Sequence, residues 1–284
     1  MPVISPNAFA PPAANDTAGL VAADLRERVR RLERAHSVQR VGQSAVPVGV
    51  PAIDALLSEG GLLSGAVHEI EAGSTPSGRV APHDGAALGF AAHLLGRFAA
   101  IKPGSTLLWC RRPFGTFDAP PYAPALAAWF DPARLLLVSV RRDEDLFWAM
   151  EEGLRCPGMA AVLCETRAAD ATAGRRLSLA AEKSGVPALL LRTQPAPVQS
   201  ICTTRWRVAS AASHSTPGLK DVGRARWRLE LRRNRFGMPS VAEIPTWIVE
   251  WNDETHCLSV VPQAHHGSTG ADHVARALES RLVG

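Results

Sequence analysis

No run of about 18 uninterrupted apolar residues occurs in this 284-residue chain, so no helical membrane span is expected. The five cysteines, Cys110, Cys156, Cys164, Cys202 and Cys257, form no C-x-x-C pair, and their number is odd. Structural zinc and a disulfide framework are therefore not expected, and a reducing, cytoplasmic setting fits. Cys110 and Cys164 close apolar runs and read as small core residues. The N-terminus, MPVISPNAFAPPAANDTAGL, has no basic start followed by an apolar block and does not read as a signal peptide. Its Pro/Ala richness predicts disorder. His214, His256, His265, His266 and His273 fall in or near polar stretches without metal-ligand spacing. No nucleophile elbow supports Ser/His/Asp catalysis. With 46% hydrophobic and 20% charged residues the composition is that of an ordinary globular chain. The net charge of +4 is too small to decide a partner.

A further absence is more telling. Gly73-Ser74-Thr75-Pro76-Ser77-Gly78-Arg79-Val80 has the glycine spacing of a phosphate-binding loop. Such a loop needs Lys after the second Gly to reach the β- and γ-phosphates, then Ser or Thr to hold Mg²⁺. Arg79 and Val80 stand there, and valine has no oxygen to give a metal. Pro82 disturbs the start of the helix whose amides would complete the cradle.

The pattern along the chain is α/β. Residues 66–70 read as a strand entering the glycine loop, and 86–100 as an Ala/Leu-rich helix. Residues 106–110 (TLLWC), 135–140 (LLLVSV), 159–164 (MAAVLC) and 187–191 (PALLL) read as buried strands, alternating with helices at 144–154 and 175–184. Continuous apolar strands between amphipathic helices predict a mostly parallel sheet covered on both faces. Residues 206–209, 225–232, 246–251 and 257–261 alternate instead, and predict antiparallel strands with one face in water that extend the same sheet. The expected organisation is a disordered segment over 1–20, a helix and linker over 21–45, a core domain over 46–262 and a tail with a short helix over 263–284. In the first helix Leu25, Val29 and Leu32 form one narrow apolar stripe among Arg and Glu. That stripe packs on its own domain or docks on another subunit.

In VGVPAIDALLSEGGLLSGAVHEIEAGSTPSG, the residues Ile53, Asp54, Leu56, Leu57, Gly60, Gly61, Leu62, Gly65, Glu69, Ile70, Gly73, Ser77 and Gly78 match the opening of RecA-like ATPases. Arg233, Asn234, Arg235, Phe236 and Gly237 resemble that family's K-N-R-F-G segment. Within the RecA-like proteins the chain is most similar to the ImuA family, through His68-Glu69, the LLWC strand and the closing RNRFG…WIVEWNDETH. The resemblance spans roughly residues 45–262. It implies a RecA-like P-loop NTPase fold. It also implies a role in SOS-induced, error-prone translesion DNA synthesis, in company with ImuB, an error-prone replicative-type polymerase and RecA.

Against that pattern, several residues carry the expectations. Gly73, Ser77, Gly78 and Arg79 either hold ATP weakly or form a relic turn. Glu165 closes the strand where the family carries its metal-positioning acid; it is either a metal ligand or the ion-pair partner of Arg79. The family's acid after the second strand is replaced by Arg111 and Arg112, and a cation cannot act as general base. Val80, Arg79 and Arg111 together argue for a pseudo-ATPase with no resident cofactor or metal, against the alternative of a slow RecA/KaiC-type ATPase. Arg205, Arg207, Lys220, Arg224, Arg226, Arg228, Arg232, Arg233 and Arg235 crowd one stretch, opposed in it only by Asp221 and Glu230. With Trp206 and Trp227 interleaved, the stretch suits partner contact or single-stranded DNA. It reads equally as an amphipathic strand with both tryptophans in the core.

Overall fold

The computed structural model describes residues 44–73, 85–113, 119–166, 171–192, 202–213, 223–236 and 244–261. A short ribbon, β1 (Ala45–Val46) with β2 (Leu62–Leu63), precedes the main sheet and encloses a one-turn helix, α1 (Pro51–Asp54). The Asp54 carboxylate accepts from the Val48 and Gly49 amides at 2.7 and 3.1 Å and closes this turn. Gly60 adopts φ +74°, and a Cβ on Gly61 would sit 2.5 Å from the Val46 carbonyl, so the Gly-Gly pair is what the tight return requires.

The main elements are β3 (Val67–Ala72), α2 (Gly85–Ile101), β4 (Thr106–Arg111), α3 (Ala123–Leu126), β5 (Leu135–Ser139), α4 (Asp143–Arg155), β6 (Met159–Thr166), α5 (Ala171–Ser184) and β7 (Ala188–Arg192). Then come β8 (Thr204–Ala211), β9 (Arg226–Asn234), β10 (Thr246–Asn252) and β11 (Cys257–Val260). The nine strands form one sheet in the order β11-β10-β9-β8-β3-β7-β6-β4-β5. From β8 to β5 every neighbouring pair is parallel, and from β8 to β11 every pair is antiparallel. This is the α/β, mostly parallel, helix-flanked sheet expected of a RecA-like chain.

Strand alternation sorts the side chains into two cores. Leu107, Trp109, Leu163, Leu189 and Ile70 point to α2, whereas Leu108, Cys110, Val162, Cys164 and Leu190 point to α4 and α5. Helix α2 is buried nearly all round, as its Ala/Leu/Phe composition demands. It sits close because two glycines let it: a Cβ on Gly89 would lie 2.8 Å from the Trp227 ring, and one on Gly96 would lie 2.4 Å from the Trp129 carbonyl oxygen. Helix α4 opens with Asp143, Glu144 and Asp145, which suit the positive end of its dipole. Leu146, Met150 and Leu154 fill its buried stripe.

Two expectations need correction. Strand β8 was grouped with the antiparallel strands, yet it runs parallel to β3 and is the strand at which the sheet reverses. Alternation reports which face meets water, not which way a neighbour runs. Strand β5 reads as fully buried, yet it is the sheet edge, with Leu136 49% exposed. A continuous apolar run looks the same at the centre of a sheet and at its border.

Candidate functional site

In a parallel sheet of this kind, ligand chemistry belongs at the carboxyl ends of the strands. Gly73 follows β3 there; its amide donates to the Val208 carbonyl at 2.6 Å, and a Cβ would meet that of Ala209 at 2.7 Å. Only glycine lets β3 leave the sheet so close to β8. Ser77, Gly78, Arg79 and Val80 lie outside the described residues.

At the end of β6, Glu165 is already engaged. Trp109 Nε1, from the neighbouring β4, donates to its Oε1 at 2.6 Å. Arg111 Nε stands 3.7 Å from the same oxygen, while Arg111 Nη1 donates to the Ala119 carbonyl at 2.9 Å. Arg111 is only 4% exposed, so its charge is held inside the protein, against the carboxylate. Arg79, the expected partner of Glu165, lies outside the described residues; Trp109 and Arg111 are the partners in view. Sequence reasoning noted that Arg111 displaces an acid but not that it reaches across to Glu165. Parallel neighbours in register, with Cys110 opposite Cys164, put the next residue of each strand on one side. Arg112 Nε reaches Asp143 at 3.2 Å and ties the end of β4 to α4.

A buried ion cluster on the other face was also missed. Glu69 lies 3.4 Å from Arg192 Nη1 and accepts from Arg205 Nε at 2.8 Å and from the Cys202 thiol at 3.3 Å. Glu71 lies 3.6 Å from Arg205 and 3.9 Å from Arg207. Burial is the largest single influence on Arg205 and works against its charge, but Glu69, Cys202 and Glu71 together raise the pKa above its ordinary value. The signal was present as E-x-E in β3 and R-x-R in β8, which the pairing sets face to face as Glu69 with Arg205 and Glu71 with Arg207.

That pairing changes the account of the arginine stretch. Trp206 and Trp227 are buried toward α2, so the amphipathic-strand reading holds and neither ring offers a stacking platform. The opposite side of β9 carries Arg226, Arg228, Glu230 and Arg232. Arg226 pairs with Glu250 at 2.7 Å, Arg224 lies 3.8 Å from Glu250 and 4.0 Å from Glu254, and Arg232 lies 3.4 Å from Glu230. Carboxylates distant in sequence therefore pair with Arg205, Arg207, Arg224 and Arg226 in a stretch that looks strongly basic when read linearly. Arg228 and Arg233 make no ion pair among the described residues. Arg235 stands just past β9, its guanidinium 5.2 Å from the Phe236 ring centre, so strand alternation does not set its direction. Asn234 donates to the Leu56 carbonyl at 2.8 Å and joins the two segments that carry the RecA-like resemblance. Leu25, Val29 and Leu32 lie outside the described residues.

Two histidines are structural. Trp206 Nε1 donates to Thr204 Oγ1 at 3.0 Å, and Thr204 lies 2.9 Å from His68 Nδ1. His68 Nε2 in turn lies 2.9 Å from the Leu63 carbonyl and donates to it. His93 Nε2 donates to the Val48 carbonyl at 2.7 Å. Burial holds both pKa values down to about 4, against the opposing pull of those carbonyls. Among the described residues no group of three His, Cys, Asp or Glu side chains could hold a metal ion, and no helix is long and apolar enough to cross a membrane.

No protein-family model matches the chain. It is 32% identical over 219 residues to Protein ImuA of Caulobacter vibrioides, from strains NA1000 / CB15N and ATCC 19089 / CIP 103742 / CB 15. The match covers 73% of this chain and 84% of each relative.

Proposed function

Because the chain belongs to the ImuA family, we propose that it acts as a non-catalytic RecA-like adaptor in SOS-induced, error-prone translesion DNA synthesis. It works in the cytoplasm with ImuB and an error-prone replicative-type polymerase, and it meets RecA at damaged DNA. Support comes first from Glu165, the strand-end acid that a working ATPase would turn toward a metal. Here it is bonded to Trp109 and paired with the buried Arg111. A carboxylate so neutralised is a weak ligand for Mg²⁺, and Arg111 cannot serve as a base for the attacking water. Arg79 and Val80 in the glycine loop point the same way.

The experiment is co-expression with ImuB and the polymerase. All three are expected to co-purify without added nucleotide. Separate elution of this chain, or a complex that forms only with Mg-ATP, overturns the adaptor reading in favour of the slow ATPase. A second reading, direct binding of single-stranded DNA, draws on Arg228 and Arg233. It requires affinity for an oligonucleotide that falls steeply with salt.

A further inference from the structure

Helices α4 and α5 lie side by side on the sheet face away from α2, and between their last turns is a groove of about 530 Å³. Its apolar part is Pro157, Leu179 and Ala180, and Leu179 is 66% exposed. Three cations stand around it: Arg155, Arg176 and Lys183. One carboxylate on its wall, Glu151, is nearly buried and is bonded at once to Arg155 and Arg176. It holds the two guanidiniums at the rim; Arg155 also donates from Nη1 to Glu152 at 2.6 Å, so Arg176 and Lys183 are the cations best placed to meet a ligand. Lys183 makes no ion pair among the described residues.

We propose that this groove is a docking site for an acidic segment of a partner protein that carries one large apolar side chain. The apolar side chain covers Leu179 between Pro157 and Ala180, and its flanking carboxylates meet Arg176 and Lys183. Three features favour such a segment over nucleic acid. The groove has no aromatic ring on which a base can stack. Glu151 in its wall repels a continuous polyanion, whereas single carboxylates can be placed on either side of it. Its volume of about 530 Å³ lies in the range of compact ligand pockets rather than of a strand-tracking channel. Fixed guanidinium forks also suit carboxylates geometrically. The site is built on α4 and α5 and uses no residue of β9 and neither Glu165 nor Arg111, so the inference stands whatever becomes of the adaptor reading.

The test uses the full chain. A phage-displayed library of random peptides is panned against it, and enriched peptides are remade and titrated by fluorescence anisotropy. The expected pool is rich in Asp and Glu around a Leu, Phe or Trp. Leu179→Glu with Lys183→Glu changes only exposed side chains; it should weaken these peptides by about tenfold or more. Lys183→Glu alone should weaken them less, and Trp148→Ser, at an exposed position elsewhere on α4, should leave them unchanged. A pool without acidic enrichment, or peptides indifferent to the Leu179/Lys183 pair, overturns the proposal. So does a thymidine homopolymer of about 20 nucleotides that loses binding in this pair while no peptide is enriched; that result assigns the groove to nucleic acid.

Discussion

Arg111 and Glu165 close neighbouring parallel strands, β4 and β6, and face each other 3.7 Å apart with the Trp109 indole bonded to the same carboxylate oxygen. A buried cation thus stands against the acid at the carboxyl end of β6. The pair is mostly shielded from water, so its consequences reach both stability and activity.

For activity, the purified chain with Mg-ATP and single-stranded DNA is expected to release phosphate no faster than background. Turnover well above background that disappears in Gly78→Asp would contradict the pseudo-enzyme reading. Arg79→Lys with Val80→Thr should not restore turnover, because Arg111 still holds Glu165 and Arg112 rather than an acid directly follows β4.

For stability, Glu165→Ala removes the carboxylate that faces the buried Arg111 guanidinium. Breaking such a pair costs about 3 kcal/mol, which urea denaturation followed by tryptophan fluorescence would register as a lower midpoint. Arg111→Met with Glu165→Leu removes both charges and should recover most of the loss. Equal instability in the single and double variants would show that shape rather than charge matters there.

His68 and His93 make the fold acid-sensitive in a definite window. Each is buried, with its pKa lowered to about 4, against about 6.5 in an unfolded chain. Between those values the unfolded chain takes up protons that the folded chain refuses. Stability is therefore whole above about pH 6.5 and falls as pH drops toward 4, by on the order of 2 kcal/mol per histidine at about pH 5. Urea midpoints at about pH 7.5 and 5 measure this slope, and His93→Gln should reduce it by about half.

Gly96→Ala is expected to destabilise by about 1–3 kcal/mol although alanine is the better helix former. The new methyl would lie 2.4 Å from the Trp129 carbonyl oxygen, an atom that can move only with its backbone. A raised melting temperature in this variant would mean that α2 has room the structure does not give it.

At the RecA interface, a substoichiometric amount of the chain is expected to slow filament growth on single-stranded DNA. On the proposed reading, Arg233 and Arg235 would reach a neighbour's nucleotide, while Arg79 and Val80 in the glycine loop would leave the chain without a competent nucleotide face of its own. Arg233→Ala with Arg235→Ala should abolish the effect while leaving the circular dichroism spectrum intact. Indifference of RecA assembly to the wild-type chain removes this part of the reading and leaves the adaptor role standing.

Sequence alone determined the layered fold. Every strand of the main sheet was legible, because strands covered on both faces must be apolar throughout and those covered on one face must alternate. Both signals are local. The Gly60-Gly61 turn was likewise readable, since its backbone bonds to Leu57 and Ser58 join residues a few positions apart, whereas the Asp54 bonds to the Val48 and Gly49 amides were not foreseen. Tertiary structure decided what depends on which strands lie side by side. TLLWC and LLLVSV look alike as strings, yet one is central and the other is the sheet edge. The arginine-rich stretch read equally as a nucleic-acid or partner contact and as an amphipathic strand, and only the pairing of β8 with β3 and of β9 with β10 set Glu69, Glu71 and Glu250 against it. Glu165 could be named from its place at a strand end, but its partners could not. They come from β4, more than fifty residues earlier (Trp109 and Glu165 are 56 apart), and only the parallel pairing of β4 with β6 brings them together. Charge balance and burial are properties of neighbours in space, and a linear pattern fixes only the neighbours along the chain.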